Sequence, residues 1–374
     1  MTQKKVLAVF GATGQQGGSV INQLLSTPAE LLPNTSKFKL RALTHRSLPI
    51  SSSTISLEQW HQLTNSPQPA NTASCTSTIQ VVSKVDFHTA SSLLPALENV
   101  HTAFVMTTPS FSPSLNSPKN NSDDKEFLAV QNIVSAALSQ KVNTIIFSTL
   151  PNITELSSGK YTSVTPFDDK ARARSYIWSL QPQIRSAFVS LGFFMSNWLT
   201  QDFLAPKYDE ETQSWVMRLH VCGQTGIPLI DAGRDTGKFV AAILESMDRR
   251  WGKEGDHGRG KTVVAAEGVY TLDGIAEAFS RHTKQRVRYE QVTEREFREE
   301  SLKGFPESLK DVLVEGYKSL EEFGHVGTET EASVEEGKKL VRECGLGGLV
   351  SLEEFLAKER YVLGEGSKSK QWGP

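Results

Sequence analysis

Residues 6 to 25, VLAVFGATGQQGGSVINQLL, limit the possible fold more than any other stretch of the chain. Val6 to Phe10 is an unbroken apolar run, the pattern of a strand buried on both faces as in a parallel sheet. Gly11, Gly14, Gly17 and Gly18 follow at once, with Ala12, Thr13, Gln15 and Gln16 between them. Val20, Ile21, Leu24 and Leu25 then recur at helical spacing until Pro28. A strand, a glycine turn and a helix in this order leave backbone N–H groups free at the helix start, where a pyrophosphate is favoured. The spacing is G-x-x-G-x-x-G rather than the G-x-G-x-x-G of many dehydrogenases. The competing reading is a glycine turn that serves only the packing of an α/β sheet.

Composition narrows the partners. The 374 residues carry 40 Lys+Arg against 42 Asp+Glu, which gives no electrostatic reason to expect nucleic acid or an anionic membrane. No run approaches the length needed to span a bilayer, and the N-terminus lacks the apolar core of a signal peptide, so a cytoplasmic protein is expected. Cys75, Cys222 and Cys344 are far apart and lack metal-ligand spacing, so free thiols and no metal site are expected.

Further along, Lys37 to Thr44 reads as a second strand ending at His45-Arg46. An acid at that edge would accept from the ribose 2'-hydroxyl of NAD; its absence, with Arg46 present and His45 or Arg41 nearby, points to NADP in preference to NAD. Arg46 alone is equally compatible with a solvated surface arginine. Residues 47 to 78 read as an insertion with one short helix at Ser56 to Leu63. A third strand runs from Ile79 towards Asp86-Phe87. Two readings of Asp86 stand open: acceptor for an adenine amino group with Phe87 packed on the ring, or cap of a helix beginning near Thr89. Ala103 to Thr108 is another buried strand, whose end, Met106 to Thr108, should pass under the pyrophosphate and nicotinamide ribose. Residues 110 to 124 read as a loose lid, Glu126 to Lys141 as an amphipathic helix, and Asn143 to Thr149 as the next strand.

The expected fold is therefore α/β, a doubly wound parallel sheet over residues 1 to 198, with residues 199 to 363 mainly a smaller α+β C-terminal substrate or partner domain and a frayed tail over 364 to 374. A sixth strand is expected from Ile184 to Phe194, a helix capped by Asp235, a glycine-rich loop around His257, and a strand from Val263 to Thr271. Trp198, Phe203, Trp215 and Met217 are either core or the lining of a pocket for a flat molecule.

VFGATGQQGGSV, FSTLPNI after the fifth strand, PFDDK at 166 to 170 and GFFMSNW at 192 to 198 together resemble the NmrA-like family, atypical short-chain dehydrogenases/reductases with many fungal members. The likeness runs from residue 4 to about residue 330. It implies a Rossmann domain that binds NADP and a smaller domain over the nicotinamide. By position, the family's dinucleotide contacts fall on Gly11 to Gln16, Arg46, Asp86, Phe87, Met106, Thr107, Thr108, Lys170, and Phe193, Phe194 and Asn197. Gly17 completes the glycine pattern, and Ser148 stands where such enzymes often hold a substrate-orienting hydroxyl.

One departure matters. The usual Tyr-x-x-x-Lys puts a phenol and an ammonium on one helix face for proton transfer. Here Pro166 stands four residues before Lys170, and neither Tyr161 nor Tyr176 has a lysine four residues later. Lys170 is left as the catalytic candidate, expected to bond the ribose hydroxyls. Two functions remain: an NADPH-dependent oxidoreductase acting on a carbonyl or activated double bond of a small aromatic or polyketide-like compound, or a non-catalytic NADP(H) sensor, cytoplasmic or nuclear, that regulates a protein such as a transcription factor.

Overall fold

The computed structural model describes residues 5–28, 30–34, 38–49, 53–64, 78–108, 125–250 and 262–364, the side chains of 248–250 excepted. The lid expected at 110 to 124, His257 and the tail from residue 365 lie outside the described residues.

In chain order, β1 (Lys5–Phe10), α1 (Gln15–Ser26), β2 (Phe38–Leu43), β3 (Ser53–Ser56), α2 (Leu57–Thr64), β4 (Thr78–Val82), α3 (Ala90–Ala96) and β5 (Val100–Val105) open the fold. α4 (Lys125–Ser139), β6 (Thr144–Thr149), α5 (Ile153–Leu156), α6 (Thr165–Ser179) and β7 (Arg185–Leu191) continue the alternation. Next come β8 (Phe193–Phe194), α7 (Asn197–Thr200), β9 (Lys207–Asp209), β10 (Ser214–Leu219), β11 (Gly226–Ile230), α8 (Ala232–Arg250), β12 (Thr262–Ala265) and β13 (Gly268–Thr271). The chain closes with α9 (Leu272–Thr283), β14 (Val287–Gln291), α10 (Glu294–Glu296) and a π turn at Phe297–Ser301, α11 (Glu307–Phe323), α12 (Thr330–Glu343) and α13 (Leu352–Glu359).

Eight strands form one sheet in the order β12-β7-β6-β5-β1-β2-β4-β3. β1 pairs in parallel with β2 on one side and β5 on the other, so the connections diverge at β1 and open a crevice beyond the carboxyl ends of β1 and β5. β1 shows why the sheet is covered on both faces. Leu7 and Val9 enter the core under α1 and α8, while Ala8 and Phe10 enter the opposite core under α3, α4 and α6. α1 is held by α8, where the Gly237 N–H donates to Ser19 Oγ at 2.9 Å. The helix that carries the glycine turn is thus anchored by a segment more than two hundred residues away in sequence.

A second core, with Trp198, Phe203, Met217, Leu272, Phe279, Phe297, Tyr317 and Phe355, joins the small sheets β14-β10-β9 and β13-β11-β8 to α9, α11 and α13. Trp198, Phe203 and Met217 are therefore core; Trp215 packs on its edge and donates its indole N–H to Gln285 Oε1.

Several sequence expectations are corrected. Segments after residue 198 also build the main sheet: β12 is its edge strand, and α8 and α12 cover its face. The single strand expected from Ile184 to Phe194 breaks at Gly192, after which Phe193 and Phe194 pair with β11 instead. The one expected from Val263 to Thr271 likewise divides between two sheets. Within the expected insertion, the described residues add a strand that was not foreseen, β3, antiparallel to β4, and α2 forms where the short helix is expected, with Trp60 fully buried. Asp235 does not cap α8, which begins at Ala232; its buried carboxylate accepts from Lys238 Nζ and the Val350 N–H.

His325, buried beside Ser190 of β7, is pushed down to about 4 by burial, from an ordinary 6.5. An unfolded chain takes up this proton from about pH 6.5 downwards and the native one only near its lowered value, so the stability gained by keeping the ring neutral is lost as pH falls across that window. The shift corresponds to up to about 3 kcal/mol. Urea unfolding at about pH 7 and about pH 4.5 should show a smaller acid loss for His325→Gln than for the unmodified protein, and equal losses would rule out this ring as a cause.

Candidate functional site

The glycine turn is built around two close approaches. Gly11 has φ +62°, the left-handed region that side chains disfavour, and a Cβ there would lie 2.2 Å from Met106 Sδ. A Cβ on Gly17 would lie 2.4 Å from the Gly11 carbonyl oxygen and 2.8 Å from that of Phe10, so α1 starts against the end of β1 only because position 17 lacks a side chain. The Gly14 N–H closes the turn on Gly11 O at 2.9 Å, and the Ala12 N–H donates to Leu43 O, tying the turn to β2. Thr13 and Thr44 share a hydroxyl hydrogen bond of 2.9 Å.

α1 begins without a side-chain cap and without an acid in its first turn. Its first amides and the positive end of its dipole therefore face outward uncompensated, a setting that favours an anion. Gln16 Oε1 is buried with no partner among the described residues, and Gln15 Oε1 accepts from Ser196 Oγ at 3.0 Å, joining the turn to the segment after β8.

A hollow of about 330 Å³ opens beside this turn. One wall is Gly11, Thr13 and Gly14; the second is His45 with Val85, Asp86, Phe87 and His88; the third is Met106, Thr107, Thr108, Glu126 and Ala129. Phe87 stacks at a tilt on Phe10, with centroids 5.1 Å apart, and meets the His45 ring edge-on. Asp86 Oδ1 accepts from the His88 N–H, which makes a local turn; α3 has Thr89 at its cap position, so the capping role for Asp86 is not adopted.

The hollow thus gathers Gly11, Thr13, Gly14, Asp86, Phe87, Met106, Thr107 and Thr108, with Ala12, Gln15, Gln16 and Gly17 on the same turn. Arg46 is half-buried directly after the wall residue His45. Arg41 is elsewhere: it is buried, its Nη1 donates to Ala96 O and Glu98 O, and it takes no part in the hollow. Ser148 is buried at the end of β6, outside the wall. Phe193 packs on Trp198 and Tyr317 in the second core, Phe194 on the first, and Asn197 starts α7; none of them lines the hollow.

Lys170 is not a surface lysine. It is buried in α6, behind Thr107, and its Nζ donates to Glu126 Oε1 at 2.5 Å, Thr107 O at 2.8 Å and Thr107 Oγ1 at 3.1 Å. Thr107 Oγ1 in turn donates to the same Glu126 oxygen at 2.5 Å. Sequence reasoning missed Glu126 as a site residue. Its signal was its place on the apolar stripe of α4 with Ala129, Val130 and Ile133, at helical spacing, where an acid has no reason to be unless something pairs with it.

A profile of the NmrA-like family matches residues 3–356. The NmrA-like oxidoreductase hkm9 of Aspergillus hancockii is 24% identical over 301 residues, covering 76% of this chain and 75% of its own. The NmrA-like oxidoreductase lnbB of Aspergillus flavus is 24% identical over 375 residues, covering 94% and 96%. Among solved structures, NmrA, a negative transcriptional regulator in complex with NADP, shares the fold at a TM-score of 0.68, with 18% identity and 99% of each chain covered. The triphenylmethane reductase of Citrobacter sp., complexed with NADP(H), does so at 0.61, with 18% identity, 94% of this chain and 99% of its own. The uncapped glycine turn at the divergence of β1 and β5 and the match over nearly the whole length lead to one conclusion: this chain belongs to the NmrA-like family.

Proposed function

We propose that the chain binds NADP(H) along the glycine turn and the adjoining hollow, and acts as an NADPH-dependent oxidoreductase on a carbonyl or activated double bond of a small aromatic or polyketide-like metabolite. The observation that carries the reading is the uncapped start of α1, free of acids, opening on a hollow at the carboxyl ends of β1 and β5. The unpartnered Gln16 Oε1 and the side-chain-free approach of Gly11 to Met106 fit a ligand laid against this turn. In this reading the turn amides hold the pyrophosphate, Arg46 with His45 takes the 2'-phosphate, and Asp86 and Phe87 meet the adenine. When bound, NADPH supplies a hydride. Ser148, Phe193, Phe194 and Asn197 are left to the nicotinamide side. The relatives named as oxidoreductases support this choice.

The second reading, a sensor of the NADP(H) state that regulates a partner protein, is favoured by one observation. Pro166 replaces the tyrosine of the usual pair, and Lys170 has all its donors engaged within the protein. Mixing the protein with NADPH and a panel of quinones and enones separates the two: loss of dihydronicotinamide absorbance supports the enzyme. Tight NADPH binding with no turnover across the panel, and partner capture that differs between NADPH and NADP, would support the sensor. Arg46→Asp is expected to weaken NADP binding by more than tenfold and NAD binding far less, since a carboxylate repels the 2'-phosphate. Equal losses would remove Arg46 from that role. Among the described residues, no helix is long and apolar enough to cross a membrane.

A further inference from the structure

The Lys170 ammonium has three N–H donors and meets three acceptors, Thr107 O, Thr107 Oγ1 and Glu126 Oε1. No donor is left for a ligand, and Lys170 does not line the hollow. Glu126 does line it. Only 4% exposed, Glu126 spends Oε1 on Lys170 and the Thr107 hydroxyl, while Oε2 accepts from no described residue. Oε2 is not among the enclosed side-chain atoms left without a partner, so this oxygen of an otherwise buried carboxylate stays open to a donor that enters the hollow.

Resting on the reading that a dinucleotide occupies this hollow, we propose that Glu126 is a specificity-determining residue whose Oε2 accepts a hydrogen bond from a ribose hydroxyl, and that Lys170 is a positioning residue acting through it. The chemistry of such a ligand makes the placement selective. Its phosphates suit the amides at the start of α1, while a carboxylate repels phosphate and welcomes a hydroxyl donor. Glu126 therefore fixes which part of the ligand lies beyond Met106. Lys170 holds the carboxylate in place from behind, and Thr107 braces both: its hydroxyl donates to Glu126, and its carbonyl accepts from Lys170.

Equilibrium binding of NADPH, followed by its fluorescence, tests this on the full chain. Glu126→Leu is expected to lose about 10- to 100-fold in affinity, the scale of a hydrogen bond to a charged group. Glu126→Leu/Lys170→Met is expected to bind as Glu126→Leu does, because a lysine that works through Glu126 has nothing left to do once Glu126 is gone. A further tenfold loss in the double variant would place Lys170 on the ligand itself and overturn its positioning role. If Glu126→Leu fails to fold around its unpaired ammonium, Glu126→Gln keeps an acceptor for Lys170 and should lose about tenfold. Adenosine 2',5'-bisphosphate identifies the hydroxyl. An equal loss for this fragment assigns the adenosine ribose, and a loss confined to intact NADPH assigns the nicotinamide ribose. Unchanged affinity in the glutamate variants, with the unmodified protein binding NADPH, overturns the inference alone; failure of the unmodified protein to bind overturns the reading beneath it.

Discussion

Replacing Lys170 by methionine is expected to lower the free energy of unfolding by about 3–5 kcal/mol, the cost of removing one member of a buried ion pair. The side chains of Lys170 and Glu126 are 8% and 4% exposed, so water does little to screen them. Three elements meet at this pair: the end of β5 through Thr107, the first turn of α4 through Glu126, and α6 through Lys170. Methionine fills much of the same volume but leaves the Glu126 carboxylate without its cation and the Thr107 carbonyl without a donor. The corresponding double replacement by apolar residues, Glu126→Leu/Lys170→Met, removes both charges together and should cost much less than the single change. Urea unfolding of the two variants measures the difference. A loss below about 1 kcal/mol for Lys170→Met would mean that the pair behaves as a surface salt bridge.

The second large effect is expected at Gly17, and its neighbour supplies the control. Gly17→Ala would press a methyl group to 2.4 Å from the Gly11 carbonyl oxygen, against backbone that moves only if the whole turn moves. An overpacking cost of about 1–3 kcal/mol is expected, together with at least tenfold weaker NADPH binding, because the displaced amides are those proposed to hold the pyrophosphate. At Gly18 the same methyl would sit 3.5 Å from the Ala12 carbonyl oxygen, an ordinary contact. Gly18→Ala should therefore be neutral, or stabilising by up to about 1 kcal/mol through helix propensity, with binding retained. Thermal unfolding and NADPH titration of the pair check both halves. Similar behaviour of the two alanines would contradict the geometry of the turn.

What the sequence made legible was local. β1, the glycine turn and α1 could be read because buried strands, turns and amphipathic helices each leave a short-range pattern, and the structure joins them as expected. Long-range pairings leave no such pattern. Nothing around Gly192 indicates that the next two residues desert the main sheet for β11, and nothing around Thr262 indicates that β12 returns to its edge. Arg41 was legible as a cation near the end of β2, but its side chain turns to the carbonyls of Ala96 and Glu98, which only the fold brings within reach. Lys170 was found through a family motif, whereas its partner Glu126 lies forty-four residues earlier and passes for an ordinary acid in the first turn of a helix. A charge on an apolar stripe was the one local sign that it had a buried partner.

Calorimetric titration of the unliganded protein with NADPH, NADP and NAD most directly tests the claim that the start of α1 holds a dinucleotide. The account predicts saturable binding at one site per chain, tighter for the 2'-phosphorylated forms, and weakened in Gly17→Ala but not in Gly18→Ala. No saturable heat with any of the three would contradict it.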